Sequence, residues 1–532
     1  MTKISIDPIT RLEGHGRIDL FLNDEGTVDD AFLVIPELRG FEKFLEGRPV
    51  EEMPQITSRI CGVCPEAHHA AAAKAADAVY NVQIPEAAEV ARRMQYNAFM
   101  AGDHATHFYA LGGPDFIVGP DAPAGERNII GVINKVGLEL AGKVIRMRKE
   151  AHEVAELLGG RRIHPVGMVP GGISKPVSSA TAARLREIGA YMVEFAQETL
   201  SIFDNMVLLD PKLRGLIMSD AYVNKTAYLA LVNDQNQPDA YDGHVRIVDA
   251  DGTEVARYHP RDYLDHIAEA IVPWSYLKMP YLKAFGWHGA TAENSTSIMR
   301  TGPLGSLNAS AGMQTPLAQA HYERFYATFQ TTPVHQTLAF HWARLIELLQ
   351  SAELVQRLAH DERLTSDDIR TLPTGTPREG VGTVEAPRGL LTHHYITDEN
   401  GIVEKANLIV GTTYQYPAIQ LSVATAARAL IRPGVELTEP VMNGIEMAFR
   451  AYDPCFGCAT HALPGTSPLE VRAFSAGGVL VDGLRRNGDG SLERIALPAA
   501  ASLGHDASLG TAAPHADAAP PTAAPAREGG AR

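Results

Sequence analysis

Cysteine is scarce in this chain of 532 residues: there are four, and all of them lie in two C-x-x-C pairs. The pairs are Cys61 with Cys64 and Cys455 with Cys458, nearly 400 residues apart. No cysteine remains with which the chain could ligate an iron–sulfur cluster of its own. A disulfide is also disfavoured, because C-x-x-C spacing without an export signal is more typical of metal or redox chemistry.

Other missing features narrow the function further. The sequence contains no run of eighteen apolar residues, so we expect no direct membrane insertion. The N-terminus opens on a motif rather than on a leader, so we expect no signal peptide and a cytoplasmic location. A net charge of −16 argues against nucleic acid as a partner. The G-x-S-x-G, Walker and G-x-G-x-x-G motifs are absent, which leaves nucleophilic and phosphate-binding chemistry without support.

What is present predicts a large α+β fold, with a mainly helical core and peripheral β-hairpins. The chain is 45% apolar and 21% charged, which is enough to bury a sizeable core. Strands and helices are interspersed without regular β-α-β alternation. Apolar periodicity predicts helices over residues 66–112, 127–158, 179–208, 335–360 and 438–451. Alternating patterns predict hairpins within residues 16–35 and at the turns Asp251-Gly252 and Asn400-Gly401.

The composition divides the chain into three parts. Residues 1–461 contain neither an internal repeat nor a linker, so we expect one large domain. Residues 462–498 form an extension with two short strand candidates. Residues 499–532 are rich in alanine and proline with almost no large apolar residues, which predicts a disordered tail.

The two cysteine pairs predict a tetrathiolate metal site, because soft thiolates select zinc, nickel or iron over magnesium or calcium. Spacing alone leaves a structural zinc staple and a redox metal both open, although zinc motifs usually place their pairs closer together. The flanks favour the redox metal. The first pair reads R-x-C-G-x-C-x-x-x-H and ends at His68, which is placed to donate a hydrogen bond to a thiolate. The second reads D-P-C-x-x-C-x-x-H and runs from Asp453 to His461.

With these flanks, the chain resembles the large, catalytic subunit of NiFe hydrogenases, from Asp7 to about Leu463. The resemblance implies the fold of that subunit and a nickel–iron centre whose iron carries carbon monoxide and cyanide. It also implies that all four cysteines bind nickel. Within that centre, Cys64 and Cys458 would bridge to iron, while Cys61 and Cys455 would be terminal nickel ligands.

The resemblance assigns roles to residues that composition alone would place on the surface or in the core. Glu13 would be the carboxylate beside Cys455 that receives the proton, which requires a pKa tuned towards neutral pH. Asp103, in a histidine-rich helix, would lie above the open metal position. Arg388 would face the dihydrogen site, with Pro387 lining the same pocket and Asp453 as an alternative ion-pair partner.

A second metal site and one further contact follow from the same resemblance. Glu42, the backbone carbonyl of Leu391 and His461 would bind a buried magnesium ion. Thr412 would hydrogen-bond a cyanide on iron, although this motif departs from the usual family pattern at Gly411. Glu42 would otherwise be interpreted as an ordinary exposed helix residue.

The implied reaction is the reversible, heterolytic cleavage of dihydrogen. A terminal thiolate or Arg388 would be the first base, and Glu13 would relay the proton outward. Because the chain has no cysteine left for a cluster, electrons would leave through an iron–sulfur small subunit. Local segments resemble the soluble cytoplasmic groups, which adds either a heterodisulfide reductase-like or an NAD-reducing module.

The last expectations concern the maturation of the chain and two alternative functions. The resemblance implies a nickel chaperone and an endopeptidase that cuts after His461, so that residues 462–498 are removed with the tail; a tail that persists as a docking segment is the alternative. The rivals are a zinc-stapled scaffold and a relative of the quinone-site subunit of respiratory complex I, which lacks the paired thiolates.

Overall fold

The computed structural model describes residues 2–6, 10–38, 40–291, 294–434, 438–459, 469–474, 480–486 and 492–494. His461, Asp7 and the predicted disordered tail therefore lie outside the described residues. Among the residues that are described, no helix is long and apolar enough to cross a membrane.

Helices dominate the described part of the chain. They are α1 (Phe41–Leu45), α2 (Met53–Thr57), α3 (Pro65–Val79), α4 (Glu86–Thr106), α5 (Pro114–Ile117), α6 (Ile129–Gly159), α7 (Ser179–Phe203), α8 (Pro211–Ile217), α9 (Tyr263–His266), α10 (Gly302–Asn308), α11 (Pro316–Phe329), α12 (Phe340–Leu358), α13 (Gly411–Leu430), α14 (Glu439–Arg450) and α15 (Phe456–Ala459).

The strands form small sheets that are almost entirely antiparallel. They are β1 (Thr2–Ile6), β2 (Arg17–Leu22), β3 (Val28–Val34), β4 (Met168–Val169), β5 (Gly172–Ile173), β6 (Ala227–Val232), β7 (His244–Val248), β8 (Glu254–Tyr258), β9 (Ile267–Ala270), β10 (Met279–Leu282), β11 (Met299–Arg300), β12 (Glu379–Ala386), β13 (Gly389–Thr397), β14 (Val403–Ile409), β15 (Leu469–Phe474), β16 (Leu480–Arg486) and β17 (Leu492–Arg494). The larger sheets have the orders β1-β2-β3, β11-β6-β7-β8, β12-β13-β14 and β15-β16-β17.

A bundle of long helices forms the main core. Helix α12 is buried along most of its length and packs against α4 and α7, while α6 packs against α4. The bundle allows close backbone approach where small residues face each other: a Cβ on Gly102 of α4 would lie 2.6 Å from the Cβ of Ala151 on α6. Small residues at such crossings are what let two helices approach closely.

A buried sheet forms the floor beneath α3. The helix is rich in alanine and lies directly over β12, where two glycines replace side chains. A Cβ on Gly380 would come within 2.3 Å of Ala75 O, and one on Gly382 within 2.1 Å of Ala71 O. The backbones of α3 and β12 can approach this closely only because the contact is formed by alanine and glycine residues, which have small or no side chains.

Most of the predicted elements are confirmed, and one is wrong in an informative way. The hairpins β2–β3, β7–β8 and β13–β14 turn where the patterns indicate, and strands occur in the predicted extension. The single helix predicted over residues 66–112 is instead α3 and α4, followed by a π-helical turn at His107–Gly112. The break contains Asn81 at φ 49° and Pro85, which precedes the first turn of α4.

Candidate metal centre

The four cysteines meet at one buried point. Their sulfur atoms all lie within 4.8 Å of one another, and none of the four forms a disulfide. The Sγ atoms of Cys61 and Cys455 are 3.5 Å apart, and those of Cys64 and Cys458 are 3.3 Å apart. The fold therefore brings together the two cysteine pairs, which lie near opposite ends of the chain, in the arrangement that a tetrathiolate metal site requires.

Local structure shapes each pair for ligation. Backbone N–H groups of Val63 and Cys64 point at Cys61 Sγ, at 3.2 and 3.4 Å, and such donors stabilise a thiolate. Cys64 also precedes the first turn of α3, where the helix dipole favours negative charge. The second pair follows a tight turn, because Asp453 adopts φ 58° directly before Pro454. Aspartate tolerates this left-handed conformation better than most residues do.

Burial and mutual hydrogen bonding set the proton affinities of these thiols. Burial raises the pKa of Cys455 and of Cys458 well above the usual value. Hydrogen bonds from Cys455, Cys458 and Cys64 instead lower the pKa of Cys61. Without a cation, several negative thiolates cannot be stable so close together in a buried site. A bound metal ion would replace the protons that the sulfur atoms share.

Glu13 lies beside Cys455. The thiol donates to Glu13 Oε2 at 3.0 Å, and Gly457 N donates to the same oxygen at 2.9 Å. A parallel backbone bridge links Glu13 to Cys455, and a Cβ on Gly457 would lie 2.6 Å from Glu13 Oε1. Burial raises the pKa of Glu13 above its usual range, although the bond from Cys455 opposes the shift. The carboxyl group is therefore placed to take a proton from this sulfur.

On another side, Arg388 sits between two buried carboxylates. Its Nη1 lies 3.2 Å from Asp103 Oδ2, and its Nη2 lies 3.0 Å from Asp453 Oδ2. Burial alone would lower the pKa of Arg388, but the charges of these two aspartates outweigh burial and raise it. Burial also raises the pKa of Asp453, to about 7, against the pull of the arginines. The guanidinium is thus a fixed cation held by two acids.

A second buried arginine, which the sequence did not reveal, completes this group. Arg344 Nη1 lies 3.5 Å from Asp453 Oδ2 and donates to Pro387 O at 3.0 Å. It also donates to His104 Nδ1 at 3.2 Å, and His104 Nε2 lies 3.2 Å from Glu347 Oε2. Because an arginine cannot accept a hydrogen bond, this contact makes His104 Nδ1 the acceptor and puts the ring proton on Nε2. No local signal distinguishes Arg344, because α12 also carries Glu347, Glu353 and Arg357.

The remaining predicted residues of the centre also lie close to it. Thr412 Oγ1 accepts a hydrogen bond from Cys455 N at 2.9 Å, so the hydroxyl fixes the backbone of that cysteine. Pro387 is buried directly before Arg388 and holds Arg344 through its carbonyl. His68, one turn after Cys64, has its Nδ1 3.1 Å from His393 Nε2.

Glu42 lies apart from the sulfur cluster, at the edge of the buried sheet. Its Oε1 accepts a hydrogen bond from Leu408 N at 2.9 Å, and burial raises the pKa of this carboxyl group. Leu391, the predicted backbone ligand, pairs with Val384 on β12, and its role as a magnesium ligand stays a prediction. Among the described residues, the hydrogen-bond partner of Glu42 is thus the segment at Leu408 rather than Leu391, and His461 lies outside the described range.

The fold and the buried four-thiol site define a class of metal-binding protein, and comparison with known proteins identifies the family. Residues 39–124 and 140–461 match the family described as nickel-dependent hydrogenase, and residues 3–38 match a family described as HoxL-like. The chain belongs to the nickel-dependent hydrogenase family, as its catalytic large subunit, which confirms the resemblance in the sequence. The zinc-stapled scaffold and the complex I relative are not favoured.

Individual relatives make the comparison more specific. The chain is 45% identical over 485 residues to an iron-sulfur subunit of the F420-non-reducing hydrogenase of Archaeoglobus profundus, covering 91% of this chain and 100% of the relative. It is 40% identical over 494 residues to the NAD-reducing hydrogenase HoxS subunit beta of Cupriavidus necator, covering 90% and 99%. Both names denote one subunit of a larger enzyme, which implies that this chain has partner subunits.

Solved structures agree. A chain of an NAD+-reducing [NiFe]-hydrogenase in the H2-reduced state matches with a TM-score of 0.80 and 38% identity, over 87% of this chain and 100% of that one. The Ni-Fe-Se hydrogenase of D. vulgaris Hildenborough matches with a TM-score of 0.66 at 23% identity, over 86% and 100%, and supports the fold alone. Four convergent, buried thiols are soft donors that suit nickel, so the residues present fit the metal of this family.

Proposed function

We propose that this subunit cleaves dihydrogen reversibly and heterolytically at a nickel–iron centre held by the four cysteines. The observation that carries the proposal is the convergence of three groups at one buried point: four thiols, the carboxyl group of Glu13, and the guanidinium of Arg388. When bound, the centre would supply the acidic metals at which dihydrogen is polarised and split. The protein then has to hold the metals, take the proton and exclude water.

The cysteines would divide the ligation between them. Cys61 and Cys455 would be terminal nickel ligands, and Cys64 and Cys458 would bridge to an iron that carries carbon monoxide and cyanide. Thr412 and Pro387 would line the diatomic ligands. The burial of all four sulfur atoms supports such a dry site.

The proton would leave by way of Glu13. Cys455 Sγ already donates to Glu13 Oε2 at 3.0 Å, so a proton that arrives on this sulfur has an acceptor in contact. Glu37 packs against Gly14, and its Oε1 lies 2.5 Å from Nδ1 of the exposed ring of His15. We infer that Glu37 and His15 continue the path to the surface.

Arg388 would face the substrate from the opposite side. Its two carboxylate partners keep the guanidinium charged and fixed, so that it can polarise dihydrogen. To serve as the alternative first base, Arg388 would first have to give up a proton, so these contacts favour a terminal thiolate in that role. Asp103 and Asp453 would set its orientation.

A magnesium ion would bind next to Glu42, with His461 as a second ligand. The contact between Glu42 and Leu408 favours the backbone of that segment over the predicted carbonyl of Leu391 as the third ligand. Magnesium retains several waters, which would complete the site.

The electrons would leave through an iron–sulfur small subunit. All four cysteines of the chain are used at the metal centre, and none is left to build a cluster. Gly62 and Val63 are exposed between the two buried cysteines of the first pair, so a partner can approach the metals there. A heterodisulfide reductase-like or NAD-reducing module would accept the electrons, and the complex would be cytoplasmic.

Maturation would divide the chain at His461. Residues 1–461 would form the catalytic domain, and residues 462–532 would be removed by an endopeptidase after a nickel chaperone has delivered the metal. The family match ends at residue 461, which supports this boundary.

Replacing Cys455 by serine tests the proposal. We expect a folded chain that has lost nickel and dihydrogen-dependent dye reduction, because serine is a hard donor that suits this metal poorly. Circular dichroism and nickel content would be measured beside activity. A variant that unfolds while the wild type contains zinc would instead support a structural staple.

A further inference from the structure

Glu13 lies between two residues whose backbone is left-handed. Arg11 has φ 58° and Gly14 has φ 88°, so the chain bends sharply on both sides of the segment that presents Glu13. Glycine adopts this conformation easily, and a Cβ at Gly14 would lie only 3.0 Å from Gly457 N. An arginine in this conformation is strained, and such strain persists only where the surrounding contacts hold it.

The side chain of Arg11 makes contacts that can hold this turn. Its Nη2 lies 2.5 Å from Asp115 Oδ1, and its Nη1 donates to Leu111 O at 3.0 Å. Nη2 also lies 3.4 Å from Asn443 Oδ1. The side chain of Asp115 is only 2% exposed and that of Arg11 is 13% exposed. An ion pair shielded from water in this way is stronger than one on the surface.

The local fold brings the two acceptors of Arg11 together. Leu111 belongs to the π-helical turn at His107–Gly112, and Asp115 lies in the first turn of α5, which follows directly. The turn and the helix therefore offer a carbonyl and a carboxylate to the same guanidinium. Such π-helical turns are rare and are often found at functional sites.

Asp115 also holds the segment that leads to the second cysteine pair. Its Oδ2 lies 2.9 Å from Nη1 of Arg450, which ends α14 shortly before Cys455. Arg450 Nε in turn donates to Thr10 O at 3.2 Å. Burial alone would raise the pKa of Asp115, but the charges of Arg450 and Arg11 outweigh burial and lower it. One ionised carboxylate thus joins the N-terminal segment to the segment of Cys455.

The position of Glu13 is sensitive to this anchor. Glu13 N donates to Pro454 O at 3.4 Å, and Phe456 N donates to Glu13 O at 3.0 Å, so residue 13 also has direct backbone bonds to the cysteine segment. Its Oε2 lies 3.0 Å from Cys455 Sγ, which is hydrogen-bonding distance. A shift of about 1 Å in the entering chain would break that geometry and slow proton transfer.

We propose that Arg11 is a positioning residue for the proton acceptor: by binding Asp115 and Leu111 O, it holds the left-handed turn that sets the carboxyl group of Glu13 against Cys455. The inference rests on the proposed function, because Arg11 has this role only if Glu13 takes the proton. Asp115, Leu111 and Asn443 lie outside the metal centre, so Arg11 acts through Glu13 rather than on the reacting atoms.

Arg11→Ala in the full complex tests the proposal. Alanine keeps the strain of the left-handed backbone but removes the anchor, so Glu13 should move away from Cys455. We expect nickel content to be retained and dihydrogen-dependent dye reduction per nickel to fall about 10-fold. The solvent isotope effect on turnover, measured in H2O and D2O, should rise because proton transfer becomes the slow step.

Arg127→Ala is the matched control. Arg127 is also buried, and its Nη1 lies 3.4 Å from the same Asp115 Oδ1, but it precedes α6 instead of Glu13. This variant also removes a buried arginine that pairs with Asp115, so its loss of stability should be similar. Its turnover per nickel and its solvent isotope effect should stay at the wild-type values.

The Glu13→Gln background separates positioning from a general structural role. If Arg11 acts by placing the carboxyl group of Glu13, the double variant Arg11→Ala with Glu13→Gln should turn over dihydrogen as slowly as Glu13→Gln alone. A structural role would lower turnover by the same factor in both backgrounds. That result would overturn the inference.

Arg11→Asn is the second variant if Arg11→Ala fails to accumulate. Asparagine tolerates the left-handed backbone but is too short and uncharged to replace the ion pair with Asp115. We expect its turnover to fall as well, by a smaller factor than in Arg11→Ala. Turnover and isotope effect at the wild-type values in either variant would overturn the inference. A nickel-loaded wild-type complex that does not turn over dihydrogen would instead overturn the proposed function.

Discussion

At the residue scale, burial is the main cause of the raised pKa values of several glutamates in the core. It raises the pKa of Glu66 and of Glu385 to about 8 and that of Glu347 to about 7, in each case as the largest cause. Glu347 and Glu385 line one small cavity together, where their charges oppose each other. At pH 7, Glu66 and Glu385 therefore keep most of their protons and Glu347 keeps about half of its own, which limits uncompensated charge in the core.

This effect makes stability depend on pH. The folded pKa of Glu347 lies above its unfolded value near 4.5, so the stability is fully present below that value and is lost as pH rises through about 7. The loss is on the order of 3 kcal/mol for this group. In Glu347→Gln, we expect the melting temperature to fall less between pH 5 and pH 8 than in the wild type, because this window spans most of the interval between the two pKa values. Glu399→Gln, at an exposed hairpin turn, should behave like the wild type; an equal fall in Glu347→Gln would contradict the assignment.

Glu13 gives the sharpest catalytic prediction at this scale. Glutamine keeps the shape of the side chain but cannot accept the proton that Cys455 donates. We expect Glu13→Gln to retain nickel and to lose about 100-fold or more of dihydrogen turnover, the usual weight of a general base. Glu353→Gln is the control, since this buried acid caps α11 far from the cysteines in sequence and contact. Full activity in Glu13→Gln would require another proton path.

At the element scale, local pattern predicted the helices and hairpins well but not the break at residues 80–85. Helical apolar periodicity is present on both sides of that break, so the pattern predicts one continuous helix. The left-handed backbone of Asn81 lies just after the end of α3, and Pro85 lies directly before the first turn of α4. The site divides in the same way. The cysteines and their flanks are readable because they are local motifs. The positions of Arg344, His393 and Leu408 could not be predicted, because each contacts a partner on a distant element.

The contact between α3 and the buried sheet is the element on which the metal site depends. In Gly382→Ala, the new Cβ would lie 2.1 Å from Ala71 O, so α3 must move away from β12 and carry Cys64 with it. We expect a loss of about 1–3 kcal/mol of stability together with reduced nickel content. Gly142→Ala, in open space on α6, should be neutral or slightly stabilising. Thermal melts and nickel analysis compare the two, and an unchanged nickel content in Gly382→Ala would refute this role for α3.

At the scale of the whole molecule, the site is closed by the two ends of the described domain. Glu13 pairs with Cys455 as a parallel bridge, Phe456 N donates to Glu13 O at 3.0 Å, and Arg450 bonds to Thr10 O. The segment that carries the second cysteine pair therefore completes its contacts only when it meets the N-terminal segment.

The central claim is that four cysteines from opposite ends of the chain hold a nickel–iron centre. The most direct measurement is nickel content together with an infrared spectrum of the complex purified anaerobically from its native host. The account predicts about one nickel per chain and bands of metal-bound carbon monoxide and cyanide. A full-length, folded chain that contains zinc and shows no such bands would contradict it.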